Sequence, residues 1–216
     1  MSTTYTLRYF PSIGISETIR TLLNLVGAQW TEEHPEWPAS KDQQPFGRLP
    51  VLVETTANGE TFELSESPAI ERYILRTFGL SPTNAKEAAR QEQLREQVTD
   101  IQQAMMYYHF ADEGEYKEKL RQRVVDLVAT AVRVFPKMLK ENGDNGHFFG
   151  DKTTYADIAF YNLISLVRIK GEEKGEEAAS SVAAFNVPEF EKLLAAVEAE
   201  PALQSHFATR QKVSNA

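Results

Sequence analysis

Near Pro82 the sequence changes its repeat, and that change limits the folds open to the chain. Before it, short β-rich runs alternate with amphipathic helical ones. After it no further strand pattern occurs, and long helical periodicities take over. A chain of 216 residues, 42% of them hydrophobic, has the material for two cores of ordinary size. The expectation is an α/β domain followed by a mostly α domain.

The first part divides as follows. "TYTLRYF" (4–10) alternates small or polar with large side chains and reads as a strand. Gly14 opens a turn, Ile15, Ile19, Leu22, Leu23 and Val26 recur at helical spacing, and Gly27 stands where a helix-ending glycine belongs. Residues 29–44 are polar, with Pro35, Pro38 and an isolated Trp37, which reads as a loop with at most a short helix. "RLPVLVE" (48–54) and "ETFEL" (60–64) form a hairpin bent at Asn58-Gly59. A helix then runs from Ser67 through Ile70, Tyr73 and Ile74 towards Gly79.

In the second part, 84–111 and 115–140 are long helical runs, the first bearing Leu94, Val98, Ile101, Met105 and Tyr108. "YADIAFYNLISLVRI" (155–169) is apolar on nearly every side, which places it at the centre of the helical domain. Thr154 and Asp157 have capping-box spacing: the hydroxyl can accept from the Asp157 N–H while the carboxylate reaches back to the Thr154 N–H, a folding role. "KGEEKGEE" (170–177) reads as a solvated, flexible corner.

Charge and composition exclude several functions. Asp and Glu number 31 against 23 Lys and Arg, and the resulting −8 disfavours unaided binding to nucleic acid or anionic membranes. With no cysteine, disulfides, thiolate nucleophiles and Cys-ligated metals are all removed, so any sulfur chemistry needs a borrowed thiol. His34, His109, His147 and His206 are scattered without i, i+4 pairing, so no metal site is expected. "MSTTYTLRYF" lacks the pattern of a signal peptide, and no segment could span a bilayer, so a cytoplasmic protein is expected.

"FELSESPAIERYI" (62–74) raises the sharpest functional question. Ser67 is a good N-cap with Pro68 at the first helical position, and that explains the sequence locally. Glu66 beside the cap adds a cation site next to an anion site. A ligand with an ammonium and a carboxylate on one carbon would satisfy both.

Taken in order, Tyr9-Phe10, "PFGRLPVL", "ESPAI" and "TTYADIAFY" resemble the cytosolic glutathione transferases over essentially the whole chain. The tyrosine-type classes, and sigma most of all, look closest at "YTLRYF" and "HPEWPASK". The resemblance implies a thioredoxin-like, glutathione-binding domain at 1–80 and an all-helical domain at 84–216 that lines the electrophile pocket. It further implies that Pro50 is cis and presents the backbone of Leu49 to glutathione. Glu66 and Ser67 would take the γ-glutamyl amine and carboxylate, with Trp37, Lys41 and Arg48 around the glycyl end.

Glutathione would supply the missing thiol. Its pKa of about 8.5 leaves it mostly protonated at neutral pH, so the enzyme must stabilise the thiolate. The resemblance gives that task to the Tyr9 hydroxyl, with Ser12 as the rival donor. Phe10 and Ile13, with Met105, Met106, Tyr107, Tyr108 and Phe110, would line the electrophile pocket. Two arginines expected around a glycine are replaced by Ile13 and Ile15 flanking Gly14, and an acid expected from a neighbouring subunit is replaced by Ala104, with Asp100 one turn earlier.

The activity implied is conjugation of glutathione to hydrophobic electrophiles, compatible with isomerase or peroxidase side activity, in a homodimer that uses glutathione as co-substrate and no metal. The alternative is a weakly active or non-catalytic relative that binds ligands, serves a structural role or holds a protein partner.

Overall fold

The computed structural model describes residues 2–174 and 183–214. In chain order its elements are β1 (Thr4–Arg8), α1 (Glu17–Leu25), β2 (Trp30–Glu33), β3 (Val51–Thr55), β4 (Thr61–Ser65), α2 (Ser67–Thr77), α3 (Ala85–Phe110), α4 (Glu115–Glu141), α5 (Tyr155–Lys174), α6 (Pro188–Glu198) and α7 (Gln204–Ser214), with 3₁₀ turns at Lys41–Gln43 and Pro201–Leu203. They form two compact units. One holds the described residues up to Ser81 together with those from Pro201 onward, and the other spans Pro82–Glu200.

The first unit is built on a four-stranded sheet ordered β2-β1-β3-β4, with β1 and β2 parallel and the other pairs antiparallel. This mixed sheet with its helices is a thioredoxin-like arrangement. Leu7, Val51 and Leu52 of the sheet, Ile19, Leu22 and Leu23 of α1, and Ile70 and Ile74 of α2 are the buried apolar side chains that close it. Gly27 follows α1 with φ 63°, as a helix-ending glycine should. The hairpin bends at Asn58-Gly59 as expected, with φ +87° at Gly59.

One expectation is corrected here. The polar stretch 29–44 contains a strand, β2, because the backbone of Trp30–Glu33 pairs with β1 although its side chains alternate only between exposed and half-buried. An edge strand of that kind carries almost no hydrophobic signal. The stretch from Pro201 groups with the first unit. Leu203 and Phe207 are buried there, and Glu17 of α1 draws His206 and Arg210 to it.

The second unit is helical. Asn84 caps α3, its side chain accepting from the N–H groups of Lys86 and Glu87 at 2.9 and 3.3 Å. The segment from Tyr155 to Ile164 is almost wholly buried, as its apolar run foretold. Phe160 is the hub of an aromatic cluster, 4.8 Å from Phe190 and 5.0 Å from Phe135 between ring centroids. Of the acidic run 170–177, residues to Lys174 continue α5 rather than turning a corner, and the remainder lies outside the described residues.

Asp157 is the buried polar pivot of this unit. One carboxylate oxygen accepts from the Phe148 N–H at 2.8 Å, and the other from the Thr154 N–H and hydroxyl, both at 2.7 Å. The reach-back to Thr154 is as expected, but the hydroxyl donates to the carboxylate.

Candidate active site

One row of the sheet explains how distant parts of the sequence meet. Glu33 of β2 pairs with Arg8 of β1, Arg8 with Val51 of β3, and Val51 with Ser65 of β4. The next residue outward on each chain is His34, Tyr9, Pro50 and Glu66 respectively. Sheet pairing thus brings all four to one end of the sheet. Leu49–Pro50 is cis, as the resemblance implied, and so is Trp37–Pro38. Pro50 is buried and Leu49 half-buried.

The start of α2 lies one residue earlier than the sequence suggested. Ser67 is the first helical residue, buried, and Glu66 occupies the cap position with φ 72° and ψ 111°. The Glu66 carbonyl accepts from the N–H groups of Ala69 and Ile70 at 2.9 and 3.0 Å, which is how the chain enters the helix without a side-chain cap. A non-glycine residue at positive φ is strained, so Glu66 is held there by its surroundings while its side chain stays exposed.

Tyr9 is buried, 7% exposed, at the end of β1. Its N–H donates to the Glu33 carbonyl at 3.0 Å, continuing the ladder, and Nδ1 of His34 lies 3.0 Å from its carbonyl. Burial pushes the phenol above its ordinary pKa, opposed by the positive charge of Arg20 and a hydrogen bond from the Ile15 N–H. Gly14 lies so close that a Cβ there would meet the Tyr9 oxygen at 2.8 Å. The turn after β1 is therefore wrapped around the hydroxyl, and a side chain at residue 14 would displace it.

Arg20 holds that turn, and sequence reasoning missed it. Its guanidinium lies 5.4 Å from the centroid of the Tyr9 ring. It donates to the carbonyls of Ser12 and Phe10 at 2.9 and 3.2 Å, to Glu17 at 2.9 Å, and to Glu32 at 3.0 Å through Nε. The available signal was a Glu and an Arg three residues apart on a helix that also carries Ile19, Leu22 and Leu23. Glu32 sits on the unforeseen β2. The Ser12 hydroxyl's residue is exposed, whereas that of Tyr9 is buried.

The other candidate residues fall into groups. Phe10 packs edge-on against Tyr9 at 5.4 Å and against Trp37 at 5.6 Å, so the three rings form a continuous series. Lys41 lies along Gly47, and Arg48 is exposed. Ile13 is half-buried. In the second unit, Met106 and Phe110 are exposed on α3, Phe110 by 78%, while Ala104 is buried and Asp100 exposed. Among the described residues no group of three His, Asp or Glu side chains is placed to hold a metal ion, and no helix is long and apolar enough to cross a membrane.

A thioredoxin-like sheet whose one end gathers a buried tyrosine, a cis-proline and an acid–serine helix start, joined to a helical unit, defines a class of two-part enzymes. Residues 99–210 match the family model of the glutathione S-transferase C-terminal domain. Glutathione S-transferase P 2 of Bufo bufo is 34% identical over 168 residues, covering 74% of each chain. Glutathione S-transferase 4 of Caenorhabditis elegans is 28% identical over 204 residues, covering 88% of this chain and 95% of its own. Among solved structures, a Nu-class enzyme from Haemonchus contortus matches with TM-score 0.73 at 28% identity, over 96% of this chain and 97% of its own. A sigma-class enzyme from Fasciola hepatica shares the fold with TM-score 0.79 over 96% and 97%, at 22% identity. The chain belongs to the glutathione S-transferase family and is an enzyme of that family.

Proposed function

We propose that the chain is a tyrosine-type glutathione transferase in which the Tyr9 hydroxyl donates a hydrogen bond to the glutathione sulfur. The observation that carries this reading is the placement of a buried phenol, wrapped by residues 10–15, at the sheet end shared with Pro50 and Glu66. Because burial raises its pKa, the phenol stays protonated at neutral pH and remains a donor. A bond to a charged sulfur contributes about 1.5–3 kcal/mol, or roughly one to two pKa units of the thiol. The thiolate so formed attacks an electrophilic carbon, forming a C–S bond.

The remaining roles follow the chemistry of each position. The backbone of Leu49, before the cis Pro50, pairs with the cysteinyl unit as a strand edge takes up a peptide. Glu66 and Ser67 at the start of α2 receive the γ-glutamyl amine and carboxylate. Trp37, Lys41 and Arg48 surround the glycyl end. Phe10 and Ile13 contact the hydrophobic electrophile, and in the helical unit the exposed Met106 and Phe110 offer Met and aromatic surface of the adaptable kind such substrates need. The Ile15 N–H on the Tyr9 oxygen and the nearby charge of Arg20 act on the phenol although the arginine expected at residue 15 is absent, which favours turnover over mere carriage.

The finer assignments belong to the same reading. A sigma-like class fits the N-terminal motifs, while similar proteins carry P, mu, nu and sigma names. We take the protein to be cytoplasmic and a homodimer. Phe46, an exposed aromatic at 69%, is the kind of side chain a partner subunit would cover. Against it stands one similar structure described as monomeric, from Necator americanus at 26% identity, so sedimentation of the purified protein decides the point.

The test is a glutathione titration that follows thiolate absorbance across pH. Bound glutathione should ionise one to two units below its free value of about 8.5, and Tyr9→Phe should abolish that shift while leaving affinity nearly intact. An unshifted thiol in the unaltered protein sinks the reading, and a shift lost in Ser12→Ala but kept in Tyr9→Phe moves the role to Ser12.

A further inference from the structure

Three polar side chains, buried Glu17 and Arg210 and half-buried His206, lie beside the site without touching the groups assigned above. Glu17 is 3% exposed and its two carboxylate oxygens face opposite ways. Oε2 accepts from Arg20 at 2.9 Å. Oε1 lies 3.2 Å from Nε2 of His206 and 3.5 Å from Nε of Arg210, both on α7. A single carboxylate therefore joins the C-terminal helix to the arginine that lies against Tyr9.

We propose that His206 and Arg210 are positioning residues for Tyr9, acting through Glu17 and Arg20. The inference rests on Tyr9 being the sulfur's donor. A buried carboxylate needs positive partners, and here they come from α7 on one side and from α1 on the other. Arg20 also serves Glu32 and the carbonyls of Phe10 and Ser12, so it has several claims on one guanidinium. When His206 and Arg210 hold Glu17, Arg20 is free to keep the turn closed and its charge against the ring.

Removing the Arg210 charge leaves Glu17 with the His206 contact and draws it more strongly on Arg20. The turn at residues 10–15 loosens and the field at the phenol becomes more negative, which weakens it as a donor to an anion. The charges that act on the phenol are Arg20 and Glu17 on α1 and Glu32 on β2; His206 and Arg210 on α7 act on Glu17, and His34 lies at the Tyr9 carbonyl. Thr21 of α1 shares the His206 nitrogen at 3.4 Å, fixing the ring between two groups of one helix.

The experiment compares the full-length protein with Arg210→Gln, Arg210→Lys, His206→Gln and Tyr9→Phe, measuring kcat/KM against pH with glutathione and an activated aryl halide. Arg210→Gln should move the rising limb to higher pH by about half a unit and lower kcat/KM about threefold at pH 7, with KM for glutathione little changed. Arg210→Lys should recover most of the loss. His206→Gln should move the limb in the same direction, and it serves as the test should Arg210→Gln fail to fold. A lowered melting temperature with an unmoved limb in both variants overturns the proposal, because it shows packing alone. If Tyr9→Phe itself keeps the full rate and limb, the Tyr9 reading fails and the relay falls with it. If Tyr9→Phe loses the limb while the α7 variants match the unaltered protein, only the relay is overturned.

Discussion

Arg20 lies 5.4 Å from the centre of the Tyr9 ring while its nitrogens bond the carbonyls of Phe10 and Ser12 in the turn that follows that tyrosine. One side chain thus sets both the electrostatics of the phenol and the path of the loop around it.

For Arg20 the expectation is a loss that lysine cannot repair. Arg20→Met takes a cation from two acids, Glu17 and Glu32, one of them buried, and should cost about 3–5 kcal/mol in urea unfolding. Arg20→Lys offers a point charge in place of a fork and should recover less than half of this. Equal stability of the lysine variant and the unaltered protein contradicts the bonding scheme.

Acid should unfold the first unit through Glu17. Burial alone would raise its pKa, but the His206 bond and the charges of Arg210 and Arg20 outweigh burial and hold it at about 2, against 4.5 for a free carboxyl. A depressed carboxyl contributes stability that is present above the unfolded value and is lost as pH falls through the folded one. The relevant window is pH 4.5 to 2, with a contribution on the order of 3 kcal/mol at neutral pH. Glu17→Gln should be less stable at pH 7 and lose its stability less steeply across that window, as read by denaturant melts at stepped pH.

Glu66→Gly should separate stability from binding. Glycine carries no Cβ to oppose the positive φ, so the variant should gain up to about 1 kcal/mol, provided that relief exceeds its added freedom when unfolded. The same change removes the carboxylate proposed to meet the glutathione amine and should weaken binding about tenfold or more by calorimetry. Undiminished affinity argues against that role.

In the helical unit, Asp157→Ala leaves the Phe148 N–H and both Thr154 donors without their carboxylate and should destabilise by about 3 kcal/mol. The variant should also alter the alkaline side. The Asp157 carboxylate, 3.7 Å away, raises the pKa of His147 against the opposing effect of burial. That stabilisation is fully present below the ordinary histidine value and fades as pH rises through the raised one. Without Asp157, the pH dependence above 6.5 should flatten.

What could be read from the sequence was whatever leaves a local mark. The apolar spacing of α1 and α2, the Asn58-Gly59 bend and the all-round apolar α5 each carry their own periodicity or turn chemistry. The candidate site was legible in its parts because Tyr9, Pro50 and Glu66 lie in short recognisable motifs. Three things were not legible, for physical reasons. β2 gains its stability from backbone pairing, which side-chain alternation does not report. The helix cap moved from Ser67 to Glu66 because tertiary pairing at Ser65 forces the turn there. Glu17, Arg20 and Arg210 gain meaning only when residues nearly two hundred positions apart meet.

The row from Glu33 to Ser65 leaves the opposite end of the β3–β4 hairpin, at residues 56–60, remote from every group assigned to glutathione. Asn58 and Gly59 are exposed there, and a Cβ on Gly59 would meet nothing within 4 Å. The bend is accordingly a permissive point for grafting an epitope, a fluorophore or a surface tether. A graft at residues 48–50, a mere few positions along the same chain, would shift the anchors themselves.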